Sequence, residues 1–294
     1  MSYHSESEPE KARLSFMLSQ GISMSVHFHE MGEEKEGSMR TTRRVKSLGI
    51  WVAAFMLTFA LGVLPAQAAD EGARLAEQFL KKIPLTSYDQ NMTMEQAMKI
   101  QAQFVEALKP TFGEVVGYKA GLTNVKVQQA LGVTHPLRGT LLKKMLLKSG
   151  AVVEANYGSR PFSEGDLIVR VGSAEINKAK TPQECLKFLD AVIPFIEMPD
   201  MPYAKEVKLN GPAIAAVNVA ARLGVLGSPI PMKASEEWMN RLKNFKLQVL
   251  DDKGTVLGEG QGNSLLGDPL SVVLWIKDSL KAEGKKLRKG DLLS

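Results

Sequence analysis

The chain has 294 residues, with 37 basic and 32 acidic side chains and a formal net charge of +5. Its basic residues are scattered apart from Lys285-Lys286-Leu287-Arg288-Lys289, and its few aromatics do not interleave with them, which argues against a nucleic-acid partner. One cysteine excludes an intrachain disulfide, and of the four histidines only His135 lies beyond residue 29, so neither a His/Cys zinc site nor a histidine-rich catalytic site is available to the main body.

The N-terminal part divides in two. Residues 1–38 carry no targeting pattern, and the expectation is an over-annotated leader with the true start at Met39. Over 39–68, Arg40, Arg43, Arg44 and Lys46 precede a charge-free apolar run, and Ala66-Gln67-Ala68 offers a small-residue cleavage site. That layout predicts a signal peptide and export to the periplasm, with an uncleaved membrane anchor as the alternative. The first 68 residues hold seven basic and seven acidic side chains, so their removal leaves the balance at +5. A modest positive field suits a small anionic substrate.

A helical lead-in follows over 69–112. Leu75, Phe79 and Leu80 predict an amphipathic helix within 71–82. Thr93-Met94-Glu95-Gln96 is a capping box for a second helix, which Pro110 is expected to end. From 113 to 294 the texture is β-rich. Short apolar runs at 151–153, 167–171 and 192–197 are set between Gly, Pro and Asn breaks. Runs 245–250 and 255–257 flank Asp251-Asp252-Lys253-Gly254, a hairpin signal. Thr181-Pro182 and Asp268-Pro269 each open a helix. The predicted class is α+β, a helical lead-in on a β-rich domain. Gly290-Asp291 reads as a turn feeding a strand at the very end of the chain, where little chance of pairing is expected.

Glu164 and Asp166 carry the first chemical signal. They lie two apart at the head of a strand, so their side chains share a face, and two like charges side by side call for a counter-charge. A cation is one reason to keep them; a solvated strand edge is the other. Glu197 ends the buried-type run Val192-Ile193-Pro194-Phe195-Ile196 and would add a third oxygen donor for a hard ion, unless it simply faces water. Lys119 stands between Gly117 and Gly121, either in a turn or placed to meet a substrate carboxylate. Asp200 is a base, an acid behind the site, or a turn residue between two prolines. Asp268 reads as a helix cap, His135 as a loop residue and Cys185 as core.

The run Gly117-Tyr118-Lys119-Ala120-Gly121-Leu122-Thr123, the acid pair, Phe195-Ile196-Glu197 and the segment Gly260 to Leu270 together resemble the 2-keto-4-pentenoate hydratase family of the fumarylacetoacetate hydrolase superfamily. The resemblance runs from about residue 69 to the end. It implies a mixed β-sandwich or roll and a homo-oligomer. It also implies Mg²⁺ or Mn²⁺ held by Glu164, Asp166 and Glu197, with Lys119 as the catalytic and substrate-binding lysine. The chemistry implied is that of a hydratase/lyase or C–C hydrolase on a small 2-oxo acid or its enol. Where the family has Asp-Asn-x-Ser, this chain has Val217-Asn218-Val219-Ala220, so Asn218 alone is carried over, as a substrate contact. The family also continues past Gly-Asp-Leu-Leu, so a truncated product with its last strands missing is expected. The competing reading is a non-catalytic periplasmic binding protein on the same scaffold.

Overall fold

A computed structural model describes the backbone of Arg13–Leu18 and Ser23–His29 and all of residues 71–294. The signal segment expected at 39–68 lies outside the described residues. In chain order the elements are β1 (Arg13–Leu18), β2 (Ser23–His29), α1 (Glu71–Leu80), α2 (Met94–Phe112), β3 (Val115–Gly121), α3 (Val125–Ala130) and β4 (Leu137–Leu142). There follow β5 (Leu146–Lys148), β6 (Val152–Glu154), β7 (Glu164–Val171), α4 (Pro182–Leu186), β8 (Leu189–Met198), α5 (Gly211–Ala216), β9 (Leu223–Leu226) and β10 (Ile230–Pro231). The chain closes with α6 (Glu236–Asn244), β11 (Lys246–Leu250), β12 (Val256–Gln261), α7 (Pro269–Ala282) and β13 (Leu292–Leu293). No helix among the described residues is long and apolar enough to cross a membrane.

Two mixed sheets make the α+β architecture. The larger runs β4-β3-β13-β7-β8-β9-β5, with β10 also on β8; the smaller runs β12-β11-β1-β2-β6. Strand alternation gives the larger sheet two distinct faces. Leu167, Val169 and Val171 of β7 and Val192 and Ile196 of β8 face one way, into a core shared with Leu247 and Val249 of the smaller sheet and with α7. Ile168, Ile193, Phe195 and Leu141 face the other way and form a separate cluster. Helices α1 and α2 pack on each other through an edge-on Phe79–Phe104 pair, with ring centroids 5.3 Å apart.

Local chemistry explains most boundaries. The Thr93 side chain accepts from the Gln96 backbone while Gln96 reaches back to the Thr93 N–H, closing the box that starts α2. Pro110 does not end that helix. It sits in the last turn, the helix runs to Phe112, and Gly113 terminates it at φ +81°. Asp268 caps α7 by accepting from the Leu270 N–H at 2.8 Å.

The end of the chain overturns the expectation that it stays unpaired. Strand β13 inserts between β3, parallel, and β7, antiparallel. Ser294 N donates to Tyr118 O at 3.1 Å and Ala120 N to Ser294 O at 2.9 Å, extending the ladder by one residue. The insertion needs a strand with no side chain at the contact. A Cβ on Gly117 would lie 1.9 Å from the Leu292 carbonyl oxygen. The strands β1 and β2 fall inside the expected leader 1–38. There Met24, Val26 and Phe28 alternate with Ser25 and His27, the period that suits a strand.

Candidate functional site

Four charged side chains meet on one face of the larger sheet. Glu164 lies directly across from Glu197 in the β7–β8 register, and Asp166 lies across from Phe195. Two-residue periodicity therefore carries Glu164, Asp166 and Ile168 of β7 to the same side as Glu197, Phe195 and Ile193 of β8. Lys119 of β3 pairs with Gly139 of β4. It shares that face with Gly117 and Gly121, while Tyr118 and Ala120 pack into the opposite core. Because β13 separates β3 from β7, it sets how far the lysine stands from the acids.

The four line one cavity of about 330 Å³, together with Leu122, Val127 and Leu265. Lys119 is 4% exposed and Glu197 6%; Glu164 stands exposed at the mouth, and Asp166 is half-buried. The Lys119 ammonium is ion-paired with Glu197 and also donates to the Val219 carbonyl at 3.2 Å. Asp166 accepts from the Leu167 N–H at 2.7 Å through one oxygen and from the Ser294 hydroxyl through the other.

Electrostatics here are unbalanced: three carboxylates share one ammonium. Burial, and after it the charge of Glu197, pushes Asp166 up to about 7; the Ser294 hydroxyl and Lys119 only partly offset this. The same two causes, in the same order, raise Glu164. Both acids on β7 are therefore short of positive charge.

A hard divalent ion fits this donor set chemically. The donors are all oxygen, share a face and lack positive charge. The side chains are not drawn round a point, however: among the described residues no three His, Cys, Asp or Glu groups form a ready metal cluster. The ion pair explains part of this, since Glu197 is turned to Lys119.

The remaining candidates have other posts. Asn218 does not line the cavity. It is fully buried, its side-chain oxygen accepts from Thr140 N at 2.7 Å, and its amide donates to Thr140 O at 2.9 Å. Its amide is engaged by the backbone of a strand, apart from the cavity that the other candidates line. Asp200 is likewise fully buried. It pairs with Arg222 at 3.1 Å and accepts from Arg160 N at 2.8 Å. It thereby ties the approach to β7 to the exit of β8. His135 bonds the Pro136 carbonyl next to it, and its ring lies near Trp275. Cys185 is core, its thiol pushed up to about 11 by burial.

Sequence reasoning missed Ser294 and the Val219 carbonyl. Ser294 reaches Asp166 only because β13 enters the sheet. The Val219 carbonyl reaches Lys119 from a turn in which Asn218, Val219 and Ala220 all have positive φ, at +56°, +52° and +58°. Such backbone costs a non-glycine residue about 1–2 kcal/mol, and nothing in the residue types announces it.

No protein-family model matches the chain. It is 28% identical over 211 residues to 2-keto-4-pentenoate hydratase of Paraburkholderia xenovorans, covering 71% of this chain and 76% of that protein. It is 24% identical over 227 residues to 4-oxalocrotonate decarboxylase of Pseudomonas putida, covering 76% and 81% respectively. The solved 4-oxalocrotonate decarboxylase from Pseudomonas putida G7, complexed with magnesium and adipate, superposes with a TM-score of 0.68 at 22% identity. That match covers 79% of this chain and 87% of that one. The chain is similar in sequence to 2-keto-4-pentenoate hydratases and shares the fold of the solved decarboxylase. Its relatives are named hydratases and a decarboxylase, which supports an enzyme of the hydratase/lyase kind. In this hydratase-like chain the sheet face that carries Lys119 and the acids is the surface where the motifs behind the resemblance converge.

Proposed function

We propose that the chain is a divalent-metal-dependent hydratase/lyase or C–C hydrolase acting on a small 2-oxo acid or its enol. The observation that carries this is the single cavity lined by Lys119, Glu164, Asp166 and Glu197. Glu164, Asp166 and Glu197 would hold Mg²⁺ or Mn²⁺, the ions favoured by an all-oxygen donor set. Such an ion, when bound, supplies polarisation of a 2-oxo carbonyl and neutralisation of the adjacent carboxylate.

The chain's own residues supply the rest. An ammonium has three donors, and Lys119 directs two of them at Glu197 and the Val219 carbonyl. The third serves a substrate oxygen on which negative charge gathers, and it is fixed in place beforehand. Leu122, Val127 and Leu265 exclude water from the uncharged part of the substrate, which strengthens that contact. Glu164, at the mouth, sits where solvent enters.

The test is turnover by the purified full chain, stripped of metal and then given Mg²⁺ or Mn²⁺. The panel holds 2-hydroxy-2,4-dienoates, 4-oxalocrotonate and acylpyruvates, followed by loss of the dienol or diketone absorbance. Metal-dependent loss on any member is expected. Stoichiometric binding of all members without turnover overturns the proposal and leaves a binding protein. We further propose export to the periplasm through 39–68, with cleavage after Ala68. The mass of the cell-envelope form checks this, and an intact N-terminus contradicts it. Homo-oligomerisation, implied by the family, is checked by light scattering; the mass of one chain would end it.

A further inference from the structure

The segment after α5 combines unusual features, of which the proposed chemistry uses only the Val219 carbonyl. Three successive residues other than glycine, Asn218, Val219 and Ala220, are held in the left-handed region. One is β-branched, the type least suited to it. Backbone in such conformations persists where the surroundings over-determine it, and it collects at functional sites. Here the surroundings do over-determine it. The Asn218 side chain is locked to both backbone groups of Thr140, the residue after Gly139, which is the cross-strand partner of Lys119. The Ala220 carbonyl accepts from Asp200 N at 2.9 Å, and the Ala221 N–H returns to the Asn218 carbonyl at 3.1 Å.

Two glycines leave room for the turn to approach. A Cβ on Gly139 would lie 2.8 Å from the Asn218 carbonyl oxygen and 2.9 Å from Lys119 Cγ. A Cβ on Gly121 would lie 2.4 Å from Val219 Cγ1. The product of this arrangement is a carbonyl, that of Val219, aimed at the Lys119 ammonium. Without it the lysine would have Glu197 as its one fixed partner here and could swing among three acids on the same face.

We infer that the left-handed turn is a positioning device for Lys119, and that Asn218 is its lock, acting through the backbone and not on the substrate. This rests on the role proposed above for Lys119 only in its kinetic consequence; the mechanical claim stands apart from it. Lys119 should therefore be chemically shielded in the parent and released when the lock is removed.

The experiment is reductive methylation of the full chain with formaldehyde and a borohydride, followed by peptide mass spectrometry. It compares the parent with Asn218→Ala and Asn218→Gly. The glycine variant keeps the left-handed backbone accessible and so guards against a misfolded alanine variant. The rate at Lys119 is divided by that at Lys277, which is buried on α7 and bonded to the Ala179 carbonyl. The ratio is expected to rise at least ten-fold in both variants. An unchanged ratio, whether because neither lysine reacts faster or because both do, overturns the inference. If the enzyme reading also holds, kcat falls at least ten-fold in these variants with the Mg²⁺ dissociation constant within three-fold. A rise in substrate KM with kcat unchanged would instead make Asn218 a substrate contact and refute the positioning role.

Discussion

Asp166 is the residue at which charge imbalance turns into a measurable quantity. Its carboxyl is pushed from 3.8 to about 7, first by burial and then by the charge of Glu197. A shift of roughly three units at 1.36 kcal/mol per unit is about 4 kcal/mol. That is an upper figure, because the side chain is only half-buried and keeps two hydrogen bonds. The folded, metal-free protein binds this proton more tightly than the unfolded chain does. The ionisation penalty is therefore absent below the unfolded pKa, grows between about pH 4 and 7, and is complete above pH 7. Asp166→Asn removes the penalty. Urea melts of the metal-free proteins at pH 5 and pH 8 should show the variant gaining about 1–2.5 kcal/mol relative to the parent over that interval. Mg²⁺ at saturating concentration and pH 6 should release close to one proton more from the parent than from the Asp166→Asn variant, read by calorimetry in buffers of different ionisation enthalpy. Parallel pH profiles for parent and variant, or binding at pH 6 without proton release, would refute the electrostatic reasoning.

Three further outcomes are expected. Lys119→Met should lower kcat at least about a hundred-fold while leaving Mg²⁺ affinity intact or tighter, because Glu197 loses its competing partner; loss of Mg²⁺ affinity in calorimetry would contradict this. Asp200→Asn breaks a fully buried pair with Arg222. It should cost about 3–5 kcal/mol, a fall in Tm on the order of 10 °C for a chain of this size, and an unchanged melting curve would remove Asp200 from the frame of β7 and β8. Gly117→Ala places a Cβ against the Leu292 carbonyl. It should expel β13 at a cost of about 3 kcal/mol, seen as rapid amide exchange at Tyr118 and Ala120; protection equal to the parent would mean that the strand is not seated there.

What could be read in advance depended on range along the chain. The acid pair was legible because period-2 alternation is a local rule, and Glu197 because it ends an apolar run. The capping box of Thr93 and Gln96, the hairpin around Asp251 to Gly254 and the Asp268 cap were legible for the same reason. Three things were not. The seating of β13 depends on a gap between β3 and β7 that only the assembled sheet has, and its one trace in the sequence is a glycine at 117. The turn at 218–220 has no glycine to mark it, since tertiary contacts hold it there against backbone preference. Asn218 fitted a family motif, yet the amide of such a residue bonds equally well to a substrate or to a strand, and here Thr140 takes it.

The central claim is that Glu164, Asp166 and Glu197 form one oxygen-donor site for a hard divalent ion. Calorimetric titration of metal-free protein with Mg²⁺ and Mn²⁺, parent against Glu164→Ala, tests it most directly. Saturable one-to-one binding in the parent and at least about a hundred-fold weaker binding in the variant, close to 3 kcal/mol, is the predicted result. Equal affinity in the two proteins would contradict the site.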